Sequence, residues 1–217
     1  GSRVGRVVVF VLSLALAHSL AGVDVASAAC APPVMLWAWE RPEDLSSIDP
    51  ATTGVAFLAR TIRLVDGGFV VRSRLQPLAV PPGTHLVAVV RVEHAERPGG
   101  REGTLPDPKA VARAIAAMAR PGVAAVQVDF DAGRSEREFY RALLVELRAA
   151  LPAALGLQMT ALASWALGDR WIDSLPVDEV VPMLFRMGAD DRVVRRHFAD
   201  GGDFGSPLAR ASLGIAI

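Results

Sequence analysis

The sequence has one cysteine, Cys30, in 217 residues. No disulfide can form within the chain, so its stability has to come from a packed core. Lysine and tyrosine are equally scarce, with Lys109 and Tyr140 the only examples. Basic and acidic residues number 23 each and are interspersed, which argues against nucleic acid as the main partner. The chain also lacks a glycine-rich phosphate loop, an H-x-x-x-H metal spacing and a Ser–His–acid array, so the motifs point to no cofactor and no metal. Its most apolar N-terminal run, Val7 to Ala17, is too short to span a bilayer comfortably.

That run has a different reading. Arg3 and Arg6 precede it, and small residues follow, with Ala26-Ser27-Ala28 as an A-x-A cleavage site. Residues 1–28 therefore read as a secretory signal peptide. Residues 29–217 remain as one exported domain, periplasmic or extracellular, with no membrane span after cleavage. Cys30 adds a second reading, a lipid anchor at a mature N-terminal cysteine, although Ser27 stands where such sites usually carry Leu or Val.

Past the leader, apolar runs recur at regular spacing. The pattern predicts strands at Val34–Trp39, Gly54–Arg60, His85–Glu93, Val123–Asp131, Leu157–Trp165, Glu179–Phe185 and Ala211–Ile217. Most are continuously apolar, as parallel strands buried on both faces are. Helices are predicted at Pro108–Arg120, at Ser135–Leu151 and at Asp190–Ala199. In the second, Ser135 and Glu138 read as a capping box and Pro152 as the stop. Between the second and third strands the chain offers Asp66-Gly67 between β-rich arms instead of a helix, which reads as a hairpin. The fold class expected is α/β: a (β/α)8 TIM-barrel-like domain, cut short after about seven strands, with a β-hairpin insertion between strands two and three.

The polar residues collect at the C-terminal ends of these runs, where such barrels carry their chemistry. In Val126-Gln-Val-Asp-Phe-Asp131, the side chains of Gln127, Asp129 and Asp131 share one strand face, and Val126, Val128 and Phe130 share the other. Two carboxylates leaving a buried strand are costly unless paired, hydrogen-bonded or used. Placed this close, one raises the other's pKa, which keeps a carboxylic acid protonated for general-acid work. Elsewhere each candidate has two readings. Glu40 is a site carboxylate or a loop partner of Arg41. Arg91 and Glu93 contact substrate or form a structural ion pair. His94 is a site residue or a solvated loop residue. Trp39, Trp165 and Trp171 stack on sugar rings or fill the core.

The fourth predicted strand resembles that of the chitinase-like glycoside hydrolases, D-x-x-D-x-D-x-E. Ala124 falls on the first acid of that motif, Gln127 on the second, Asp129 on the third, and Asp131 on the catalytic Glu. Met183-Leu-Phe-Arg186 is similar to that family's Met-x-Tyr-Asp, and Leu157–Ser164 to its fifth strand. Over nearly the whole mature chain the sequence more closely resembles a bacterial family of unknown function built on the same barrel. Trp37-Ala-Trp-Glu-Arg-Pro-Glu43, Val128-Asp-Phe-Asp-Ala132, Met159-Thr-Ala-Leu-Ala-Ser-Trp165 and Val181-Pro-Met-Leu-Phe-Arg-Met-Gly188 carry that resemblance.

Together these readings give an exported glycoside-hydrolase-like protein acting on a polysaccharide or oligosaccharide. Asp131 is the expected general acid, with Asp129 raising its pKa. Glu40 or Glu93 is the second carboxylate. Gln127, Arg91, Arg186, Met183, Trp39 and Trp165 contact substrate. The alternative is a barrel that binds glycan, or serves as an envelope scaffold, without cleaving anything. A divalent-metal hydrolase built on Asp129, Asp131 and Glu93 is a third reading.

Overall fold

The computed structural model describes residues 9–12, 31–95, 103–168, 170–185 and 187–216. Cys30 and Arg186 lie outside them. In chain order the strands are β1 (Val9–Leu12), β2 (Val34–Ala38), β3 (Glu43–Asp44), β4 (Thr53–Val65), β5 (Gly68–Ser73), β6 (Leu78–Ala79), β7 (Leu86–His94), β8 (Ala125–Phe130), β9 (Gly156–Leu162), β10 (Glu179–Met183) and β11 (Gly214–Ala216). The helices are α1 (Pro108–Ala116), α2 (Arg137–Ala150), α3 (Ala163–Leu167) and α4 (Asp191–Ala199), with short 3-10 turns beside them.

Seven strands run parallel in one curled sheet, in the spatial order β2, β4, β7, β8, β9, β10, β11. This is the α/β architecture expected, and the number of parallel strands agrees. The seam between β11 and β2 holds β1, which runs antiparallel to both. Thus Val9–Leu12, inside the stretch read as a leader, lies where an eighth parallel strand of a barrel would lie.

The predicted hairpin turns at Asp66-Gly67, with Gly67 at φ +64°, a left-handed conformation that suits glycine. Its first arm is β4 itself, which at 13 residues runs well beyond the expected Arg60. The second half of β4 pairs with β5 on one side and β7 on the other. A register shift between Leu58 and Arg60 marks where β4 changes partners.

Helices α1 and α2 cover the outer face of β7 and β8. Asp107 caps α1, its Oδ1 accepting from the Lys109 amide at 3.0 Å, and Pro108 occupies the first turn, where its missing N–H is harmless. In α2 the buried stripe is Phe139, Tyr140, Leu143, Leu144 and Leu147. It meets Val126, Val128 and Phe130 in the main core, with the Phe130 and Tyr140 rings edge-on at 5.2 Å. The start of α2 corrects the sequence reading. Ser135 does not cap it; residues Arg134–Glu136 form a 3-10 turn instead. Glu136 closes that turn by accepting from the Gly133 amide at 2.7 Å, and its other oxygen pairs with His94 at the end of β7.

Candidate functional site

The inner face of the sheet is lined by a small apolar group (Met35, Ala56, Val87, Val89, Ala125, Val181), with Trp37 and Trp39 packed on it. Register arranges the polar residues of this face in layers. Gln127, Gln158 and Glu179 pair directly across β8, β9 and β10. Two residues further along, Arg91 of β7 pairs with Asp129 of β8. Above them Glu93 stands opposite Arg63. Period-2 alternation on parallel strands puts like positions side by side, so the layers follow from the strand registers.

The lower layer is a directed chain of hydrogen bonds. Trp37 Nε1–H donates to Gln127 Oε1 at 3.1 Å, Gln127 Nε2 to Gln158 Oε1 at 3.2 Å, and Gln158 Nε2 to Glu179 Oε2 at 2.8 Å. An indole N–H can only donate and an ionised carboxylate can only accept, so the two ends fix both amide orientations. Burial pushes the Glu179 carboxyl above its usual range, and a hydrogen bond from Ser212 offsets part of that. These groups, with His85, line a small, partly open pocket of about 20 Å³, room for about one water molecule. Burial lowers the pKa of His85. Trp37 is further fixed by Phe185, edge-on at 5.9 Å, and by Gly214. A Cβ there would lie 2.8 Å from Trp37 Cη2.

The upper layer carries the charges. Thr160 Oγ1 donates to Asp129 Oδ1 at 2.7 Å. Asp129 is half-buried and Asp131 exposed. Burial pushes the Asp129 carboxyl up, the Thr160 hydrogen bond pulls part of that back, repulsion from Asp131 adds to it, and Arg91 offsets it. Glu93 is held at both oxygens, by Arg63 at 3.0 Å and Arg91 at 3.3 Å. The Arg91 guanidinium also lies over the Trp39 ring at 5.9 Å, within reach of a cation–π attraction.

Of the residues singled out from sequence, Asp129, Gln127, Arg91, Glu93 and Trp39 thus share the inner face in these two layers, with Asp131 exposed just past the end of β8. Met183 lies half-buried at the end of β10, beside Leu162 and Gly214. Glu40 goes elsewhere: it pairs with Arg72 of β5 at 2.8 Å rather than with Arg41. There it lines a surface groove of about 160 Å³ with Arg60 and Arg74. Trp165 belongs to the core. The chain leaves β9 at Leu162 and turns directly into α3, which buries Trp165 edge-on against Trp171 at 5.1 Å, so its face is not offered to a sugar.

Trp37, Gln158, Thr160, Glu179 and Ser212 were not singled out from sequence. Gln158 and Thr160 alternate with Leu157 and Met159, the same period that exposed Gln127 and Asp129, so the pattern was present. Among the described residues no three His, Cys, Asp or Glu side chains converge in a group that could hold a metal ion. No helix among them is long and apolar enough to cross a membrane. No protein-family model, no curated protein and no solved structure matches this chain.

Proposed function

We propose that the protein acts on a polysaccharide by carboxylate acid/base catalysis, with Asp129 as the proton donor. What carries this reading is the Asp129 environment. It is a half-buried carboxyl, pushed toward its protonated form by burial and by Asp131, on the inner face of a parallel sheet. The sequence alone favoured Asp131 as the acid with Asp129 as its helper; the exposure of Asp131 favours the reverse assignment. Asp131 is then the carboxylate that faces solvent, Arg91 and Trp39 contact the sugar, and Arg186 and Met183 complete the substrate side. The same proposal covers export: residues 1–28 are removed, and the mature chain begins at Ala29, which mass spectrometry of secreted protein would read directly.

The test is release of reducing ends from a panel of glycans. A positioned general acid contributes about 10²–10⁴-fold, so Asp129→Asn lowers turnover by at least about 100-fold and Asp131→Asn by less. Full activity in Asp129→Asn removes the assignment.

One observation favours a second reading, a barrel that binds sugar without cleaving it. Both oxygens of Glu93 are engaged by arginines, which leaves that carboxylate committed to structure. Oligosaccharide binding by calorimetry, with no product formed under the same conditions, would select this reading.

A further inference from the structure

We infer that Thr160 is the positioning residue of Asp129, dividing its two oxygens so that Oδ2 carries and delivers the proton. The inference rests on the reading of Asp129 as proton donor. Thr160 is 3% exposed, and its hydroxyl makes one hydrogen bond among the described residues, to Asp129 Oδ1 at 2.7 Å. A buried hydroxyl with one acceptor in reach directs its proton there. Oδ1 is thereby kept as an acceptor in both protonation states, and the proton of the neutral acid falls to Oδ2. That atom has no hydrogen-bond partner among the described residues, yet it is not among the sealed, unpartnered atoms. It is the open oxygen of a half-buried carboxyl.

The division also constrains the acid's geometry. A carboxyl held at one oxygen by a β-branched side chain in the next strand cannot rotate freely about χ2, so the donor direction is set before substrate arrives. The other groups acting on Asp129 do not share this role. Arg91 and Asp131 act on it through charge, and the buried Tyr140 on the outer face turns its hydroxyl to the Val128 carbonyl instead. Thr160 alone among the described residues hydrogen-bonds the carboxyl.

Two measurements test this, on the full chain. The first is the carboxyl titration of Asp129, followed by ¹³C NMR. Thr160→Val, which keeps the shape and removes the hydroxyl, moves the Asp129 midpoint upward, because the lost hydrogen bond favoured the ionised form; Thr160→Ser restores it. The second is the pH profile of glycan cleavage. Thr160→Val lowers kcat about tenfold or more, the effect of losing a hydrogen bond to a charged group. Its alkaline limb moves in the same direction as the NMR midpoint, with KM little changed. If Thr160→Val unfolds, Thr160→Ala is read against Thr160→Ser in its place. An unmoved Asp129 midpoint in a folded variant overturns the inference. A moved midpoint with no glycan cleavage in any variant, wild type included, upholds the positioning and overturns the proposed activity instead.

Discussion

Replacing Trp37 by Phe removes one atom that matters, the Nε1–H that starts the inner chain. Gln127 is 3% exposed, so its Oε1 then lacks both protein donor and easy access to water. An unsatisfied buried acceptor costs about 1–3 kcal/mol. For a chain of this size each kcal/mol lowers Tm by about 2–4 °C, so a middle value of about 2 kcal/mol predicts a drop of about 4–8 °C at pH 7. Rotating the Gln127 amide does not rescue it, because its Oε1 would then face Gln158 Oε1. Reversing both amides sets Gln158 Oε1 against the Glu179 carboxylate, which is repulsive until Glu179 is protonated. Reversal also turns the Gln127 amide N–H groups toward the vacated position, where no acceptor replaces the indole, so the penalty of Trp37→Phe persists with the amides in either orientation. The assay is thermal unfolding of wild type and Trp37→Phe at pH 7. A cycle with Gln127→Leu adds a control: with no acceptor left to orphan, Trp37→Phe costs less in that background than in wild type. A Tm change that is additive with Gln127→Leu would refute the chain.

Three further outcomes follow from the same structure. Because the folded-state pKa of Asp129 is raised, the stability it contributes is complete below its ordinary value of 3.8 and is lost as pH rises through the folded value. Asp129→Asn therefore raises Tm at pH 7, by an amount that vanishes toward pH 4, as calorimetry at several pH values will show. His85 behaves in the opposite sense. Its folded pKa lies below 6.5, so its contribution is present above 6.5 and is lost as pH falls toward the folded value; His85→Gln flattens that part of the stability profile. Gly214→Ala forces its Cβ to within 2.8 Å of the Trp37 ring. Overpacking of this kind costs about 1–3 kcal/mol, and Trp37 fluorescence shifts with it; an unchanged urea midpoint would contradict the close approach.

The strands were legible because their apolar runs are long and bounded, and β8 was the clearest since its alternation separates a polar face from an apolar one. Boundaries were less so. The run Leu157–Trp165 reads as continuous strand, yet the backbone turns helical at Ala163, where Trp165 packs on Trp171, a contact that local composition does not record. At α2, Ser135 and Glu138 have the spacing of a capping box, but Glu136 takes the capping role because it also reaches His94 across the sheet. No local pattern records a partner more than forty residues away. The site was half legible for a related reason. Attention to the C-terminal ends of strands finds Arg91, Glu93 and Asp129, whereas Gln158 and Glu179 lie near the N-terminal ends of β9 and β10. Only the register connects them to Gln127.

The two layers answer the question the carboxylates of β8 pose, how polar groups are tolerated on the inner face of a buried sheet. The lower layer tolerates them by direction: a donor-only indole at one end, a carboxylate at the other, and two amides between that can satisfy both ends in one orientation. The upper layer uses charge, with Glu93 neutralised by two arginines and Asp129 held by a single hydroxyl while burial presses it toward neutrality. Thus within one strand Gln127 is fully committed to structure, and Asp129, two residues on, retains an unpaired oxygen. The layers share a floor, since Trp37, which starts the lower chain, and Trp39, over which Arg91 lies, both pack on the small apolar group of the inner face. Both layers therefore rest on one apolar group, the lower through Trp37 and the upper through Trp39, while strand register alone sets Gln127 below Asp129.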